Sequence, residues 1–145
     1  MRSFLMAILL ALAGLPLWAQ SQDLPEAAEQ ARRAWVTHDV VGLVADSPRL
    51  LVQLPGADPS AALGREQAAA LLRDFLSSAQ EVETVVRAAR EVEPGRGYVE
   101  LQRRYRVAGT QQVRVQSLLL GYRQARTGWT LVELRVVGLA KAPTW

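Results

Sequence analysis

Apolar and polar positions alternate along this chain in two distinct rhythms, with the change near residue 80. Between residues 23 and 78 the period is close to 3.6. Asp23-Leu24-Pro25-Glu26 combines an acidic cap, an early proline and a carboxylate three places on, the signature of a helix start. Ala27, Ala28, Ala31, Ala34 and Trp35 then share one helical face, opposite Glu29, Arg32 and Arg33. Thr37-His38-Asp39 reads as a second cap, in which Asp39 holds the helix and His38 faces solvent. A short helix through Val40, Val41, Leu43 and Val44 follows and is stopped by Asp46-Ser47-Pro48. Residues 49–54 form a compact apolar run closed by Pro55-Gly56, which predicts a strand, and residues 57–64 a loop. A helix is expected over residues 65–78, burying Ala68, Leu71, Leu72, Phe75 and Leu76.

Beyond residue 80 the period becomes 2. Four strands are expected, over residues 81–92, 98–107, 112–123 and 129–137, with turns at Pro94-Gly95-Arg96-Gly97, Gly109-Thr110 and Arg126-Thr127-Gly128. Short loops make consecutive strands antiparallel neighbours. Helices first and a meander last predict an α+β layer, the N-terminal helices packed on an antiparallel β-sheet. Setting Val107 opposite Val113 collects Val99, Leu101, Arg103, Tyr105, Ser117 and Leu119 on a helix-facing core, with Val132, Leu134 and Val136 from the last strand. The same register leaves Leu118, Leu120, Tyr122 and Leu131 as an apolar patch on the outer face, ringed by Arg, the kind of surface used for self-association.

The first 19 residues stand apart from both rhythms. Met-Arg-Ser precedes a 12-residue apolar run from Phe4 to Leu15, and Pro16-Leu17-Trp18-Ala19 leads into polar sequence. That is the order of a cleavable secretory signal peptide, and the run is shorter than a membrane-spanning helix needs. Cleavage after Ala19 predicts a periplasmic or secreted product with no stable membrane span. Its single domain would cover residues 20–138, with a flexible tail over 139–145.

Composition narrows the chemistry. The 145-residue chain has no Cys and one His, which excludes disulfides, thiolate metal sites and any zinc site needing several imidazoles. No phosphate loop, EF-hand or dinucleotide fingerprint occurs, and no metal or cofactor is expected. Charge is uneven: residues 20–97 carry 8 basic and 12 acidic side chains, whereas residues 98–145 carry 8 basic and 2 acidic. An exported protein has little access to nucleic acid, and none is expected as a partner. An anionic envelope surface, met by Arg104, Arg106, Arg114 and Arg135, is the alternative use of that basic half.

Polar groups in the expected interior are few. Arg103, flanked by Tyr105 and set opposite Ser117, is the best cluster, with Trp35 as a pocket-wall aromatic. A buried guanidinium needs a counter-charge, so Arg103 must reach the mouth of the domain, find an acid such as Asp74 or Glu66, or hold an anionic ligand. Glu83, Glu91, Glu100 and Glu133 all fall off the core face. No residue is assigned a catalytic role.

Several of these segments resemble the nuclear transport factor 2-like superfamily, also called SnoaL-like or ketosteroid-isomerase-like. They are the Trp-containing first helix, the turn Thr37-His38-Asp39-Val40-Val41-Gly42-Leu43-Val44-Ala45-Asp46 and the strand Leu50-Leu51-Val52-Gln53-Leu54-Pro55-Gly56. Gly64-Arg65-Glu66-Gln67-Ala68 at the head of the long helix and the closing Gly128-Trp129-Thr130-Leu131-Val132-Glu133-Leu134-Arg135-Val136 complete the match. The resemblance, closest to the secreted bacterial branch, runs from about Leu24 to Gly138 and implies a strongly curved sheet wrapped around the helices as a cystatin-like α+β cone. Dimerisation through the outer sheet face is common in that superfamily, and the partner expected on this face is a second copy or another envelope protein. Its members include both enzymes and non-catalytic adaptors. The expected function is therefore an exported non-catalytic binding or assembly module. The alternative is a small-molecule enzyme or carrier, isomerase-, hydrolase- or dehydratase-like, whose pocket of Trp35, Arg103, Tyr105 and Ser117 takes a small, anionic, apolar ligand.

N-terminal sequencing of the exported protein should read Gln20-Ser21-Gln22; a product that retains Met1 would contradict cleavage.

Overall fold

The computed structural model describes residues 23–138, so the signal peptide expected over residues 1–19 and the tail expected over 139–145 lie outside the described residues. In chain order the elements are α1 (Leu24–Val36), α2 (Val40–Leu43), β1 (Leu51–Gln53), α3 (Arg65–Leu76), β2 (Ala79–Glu93), β3 (Arg96–Val107), β4 (Val113–Ala125) and β5 (Gly128–Gly138). They form one five-stranded sheet in the order β1-β5-β4-β3-β2, with the helices on its inner face. Four strands run antiparallel as expected. β1 lies parallel to β5, pairing Val52 with Leu134, so the sheet is mixed. No helix among the described residues is long and apolar enough to cross a membrane.

Local chemistry sets the helix ends. Asp23 Oδ1 accepts from the Glu26 backbone N–H at 2.8 Å, and Pro25 sits in the first turn, where its missing N–H costs nothing. Leu24, Ala27, Ala28, Ala31 and Trp35 are buried, the small alanines letting α1 lie close on the sheet while Trp35 fills its far end. At the near end, a Cβ on Gly97 would come within 2.8 Å of the Leu24 methyls, so the absence of a side chain at residue 97 lets Leu24 pack directly on the strand. α3 contributes Ala68, Ala69, Leu72 and Leu76 to the same core.

Strand register differs from the sequence expectation by one residue, and the slip exchanges the two faces of β4. Val113 pairs with Arg106 rather than Val107, and Arg103 with Gln116 rather than Ser117. Leu118, Leu120 and Tyr122 therefore point inward and are buried, as is Leu131, so the outer apolar patch drawn from them does not exist. Ser117 turns outward instead, where its Oγ donates to Glu100 Oε1 at 3.4 Å. Side-chain volume explains the choice. Each large apolar side chain removed from water contributes about 1.5–3 kcal/mol, and Leu118-Leu120-Tyr122 offers more of it than Val115-Ser117-Leu119-Gly121.

Bulges do the remaining work. The pairing shifts between Gly121 and Tyr122 where β4 meets β5, so Leu131 joins Leu134 and Val136 in the core and Val132 does not. β2 carries three such irregularities, between Glu81 and Glu83, between Val86 and Ala88, and between Glu91 and Glu93. Each bends its strand and strengthens the twist, which curves the sheet over the helices.

The register predicts unequal responses on adjacent residues. Leu120→Ala should lower the urea-unfolding free energy by roughly 2–5 kcal/mol, and Leu119→Ala by less than about 1.5 kcal/mol. The opposite ranking would restore the other register.

Candidate functional site

Arg103 lies at the centre of the cone, its side chain 1 % exposed. Its counter-charge is neither Asp74 nor Glu66, both exposed on α3, but Glu81 on the neighbouring strand, whose side chain is 3 % exposed. Arg103 Nε donates to Glu81 Oε2 at 3.2 Å, and a second guanidinium nitrogen donates to Glu81 Oε1. This is the two-point geometry in which a planar guanidinium matches a carboxylate best. The remaining terminal nitrogen donates to Gln116 Oε1 at 3.2 Å. Burial pulls the pKa of Arg103 below its ordinary value, and the charge and hydrogen bonds of Glu81 oppose that shift.

Aromatic side chains enclose the pair. The guanidinium carbon lies 4.0 Å from the Tyr105 ring centre, 5.1 Å from Trp35 and 5.8 Å from Phe75. Rings at these distances offer their negative faces to the cation while excluding water. On the inner face, β3 supplies Arg103 and Tyr105 at two-residue spacing, whereas Trp35 comes from the last turn of α1 and Phe75 from that of α3.

His38 closes the rim. It does not face solvent freely: Nε2 lies 3.2 Å from Glu81 Oε1, in position to donate, and the side chain is about one-third exposed. Its φ of 54° places it in the left-handed region, uncommon outside glycine. Asp39 then caps α2 as expected, accepting from the Gly42 N–H at 2.9 Å, and a Cβ on residue 42 would strike that carboxylate. The cap and the Glu81 contact together hold His38 in its strained conformation.

Trp35, Arg103 and Tyr105 are thus brought together, and Ser117 is on the other side of the sheet. Glu81 was not among the acids weighed from the sequence; in a regular strand it would share a face with Glu83. The bulge between them breaks that parity, so Glu81 turns inward opposite Tyr105, while Glu83 turns outward to Arg104 at 3.4 Å. Gln116 was missed through the one-residue slip in β4. Two buried polar atoms of this interior, Trp35 Nε1 and Thr84 Oγ1, have no hydrogen-bond partner, and Thr84 pairs in register with Arg103. Among the described residues no group of His, Cys, Asp and Glu is arranged to hold a metal.

The proposed basic surface does not assemble. Arg104 and Arg135 are paired with Glu83 and Glu133, while Arg114 sits opposite Tyr105, on the other face from both. Arg106 keeps its Nε buried.

No family model matches the chain, and no curated protein matches it by sequence. Solved structures do. A ketosteroid isomerase-like protein from Erwinia carotovora atroseptica superposes with a TM-score of 0.66 at 14 % identity, covering 81 % of this chain and 94 % of its own. A protein assigned as a calcium/calmodulin-dependent protein kinase type II association domain, from Thiobacillus denitrificans, gives 0.66 at 15 %, covering 83 % and 98 %. A domain of unknown function with a cystatin-like fold from Nostoc punctiforme gives 0.63 at 17 %, covering 79 % and 74 %. The chain has the nuclear transport factor 2-like, ketosteroid-isomerase-like fold, the α+β cone of the cystatin-like class; identities this low carry the fold and no activity.

Removing one partner of the interior pair should be far costlier than removing both. Glu81→Leu should destabilise by about 3–5 kcal/mol in urea melts, and the double variant Glu81→Leu/Arg103→Met should recover most of that loss. Equal small effects of the single and double variants would refute the pairing.

Proposed function

We propose that this chain is an exported, non-catalytic assembly module that pairs with a second copy of itself through the outer face of its sheet. The observation that carries this reading is the commitment of Arg103 to Glu81 and Gln116 inside the cone. With both carboxylate oxygens of Glu81 accepting from Arg103, neither group is free to act as a general base or to grip an anion. Chemistry is then displaced to the surface.

The outer sheet face has the attributes of such a surface. Among the described residues no element packs over it, and it mixes half-buried Val85, Tyr98 and Leu119 and exposed Val137 with Glu100, Gln102, Glu133 and Arg135. A hollow of about 250 Å³ opens there against Tyr98, Leu119, Gly121, Glu133 and Arg135. Charges of both signs around an apolar centre suit a two-fold contact, in which each patch meets its own complement. The fold neighbour assigned as an association domain adds support of the same kind. Export rests on the signal segment in residues 1–19.

A second reading draws on the unpartnered Trp35 Nε1 and Thr84 Oγ1. A buried donor without a partner costs about 1–3 kcal/mol, and a small polar guest in the cone would relieve it. On that reading the protein is a carrier or enzyme related in architecture to the ketosteroid isomerase-like neighbour.

Sedimentation equilibrium of the mature protein at tens of micromolar should report a dimer, and Leu119→Asp should report a folded monomer with an unchanged circular dichroism spectrum. A strictly monomeric wild-type protein contradicts the assembly reading.

A further inference from the structure

A second hollow has a composition unlike either surface above. It lies between α2 and α3, is open to solvent with a volume of about 360 Å³, and is lined by Val41, Val44 and Ala69 together with Arg65, Glu66 and Arg73. Val41 is 60 % exposed, the most exposed of the large apolar side chains among the described residues, and it stands at this hollow, whereas Val44 and Ala69 are buried in its floor.

Helical geometry arranges the charges. Arg65, Ala69 and Arg73 recur every fourth residue on α3, so they form one row along the helix. The two guanidiniums are rooted about 12 Å apart, eight residues at 1.5 Å each, with the small side chain of Ala69 leaving the space between them open. Among the described residues neither Arg65 nor Arg73 pairs with a carboxylate, although most of the acidic chains on the strands have Arg partners. Glu66 reduces the charge of the lining to a net +1.

We infer that this hollow binds a small linear amphipathic carboxylate, its head group held by Arg65 or Arg73 and its methylene chain laid over Val41, Val44 and Ala69. Size favours a small molecule. A space of this volume falls in the range of small-molecule pockets, about 300–1,000 Å³. Charge decides the sign. Positive groups bracketing an apolar floor attract an anion with an apolar body and repel the corresponding cation. Guanidinium also meets a carboxylate at two points, which an ammonium-type ligand cannot exploit. The site uses none of the residues of the interior cluster or the outer sheet face, so it stands whether or not the protein dimerises.

Isothermal titration with sodium decanoate, kept below its micellar range, tests the assignment. The wild-type protein should show one saturable site per chain. Arg65→Glu/Arg73→Glu should weaken binding by at least about tenfold, and Arg65→Lys/Arg73→Lys, which keeps the charge but loses the two-point contact, should bind between that variant and the wild type. Val41→Asp should also weaken binding, and decyltrimethylammonium, with the same chain and the opposite charge, should bind at least about tenfold less tightly than decanoate. The arginines and Val41 are exposed, and a circular dichroism spectrum confirms that each variant is folded. Leu119→Asp, placed on the outer sheet, should bind decanoate as the wild type does. Absence of saturable binding, equal affinity for the cationic amphiphile, or undiminished affinity in the charge-reversed variant would each overturn the assignment.

Discussion

The buried pair of Arg103 and Glu81 is the constraint around which the rest of the cone is arranged. A guanidinium in a closed apolar interior is several kilocalories per mole less favourable than in water, and it becomes tolerable only when its counter-ion and hydrogen-bond acceptors are supplied from fixed positions. Here they come from three directions: Glu81 on β2, Gln116 on β4 and the ring faces of Tyr105, Trp35 and Phe75. Those groups belong to five different elements. None of them can shift far without exposing a charge to a medium that cannot solvate it.

Several otherwise separate features meet this requirement together. The bulge after Glu81 turns that one carboxylate inward while its neighbour Glu83 remains outside with Arg104. The one-residue register of β4 sets Gln116, and not Ser117, opposite Arg103. The strained backbone of His38 places an imidazole at the edge of Glu81, so the turn between α1 and α2 is tied to the sheet by a polar contact as well as by packing. A pair of this kind adds little net stability over a well-packed apolar substitute, whereas removing one partner leaves an uncompensated buried charge.

How much of this could be read from the residues depended on the range over which each decision is made. Helix starts at Asp23 and Asp39, the apolar stripes of α1 and α3 and the existence of the four long strands are decided within a few residues, and they were legible. So was the inward placement of Arg103 and Tyr105, since β3 alternates cleanly. The faces of β4 were not, because Leu118, Leu119 and Leu120 in succession fit either register and the outcome rests on what the opposing helices can bury. Glu81 was illegible for a different reason: a bulge is an insertion in the pairing, visible only once the partner strand is in place. The parallel contact of β1 with β5, between segments some 80 residues apart, is of the same non-local kind.

The proposed assembly role rests on the interior charge of the cone being already paired. The side-chain NMR signal of Arg103 tests it most directly. If Glu81 and Gln116 hold the guanidinium as described, its Nε–H will be protected from solvent exchange at neutral pH, resolved from those of the exposed arginines, and shifted by Glu81→Gln. An Arg103 Nε–H that exchanges as fast as those of Arg123 and Arg126 would contradict the account.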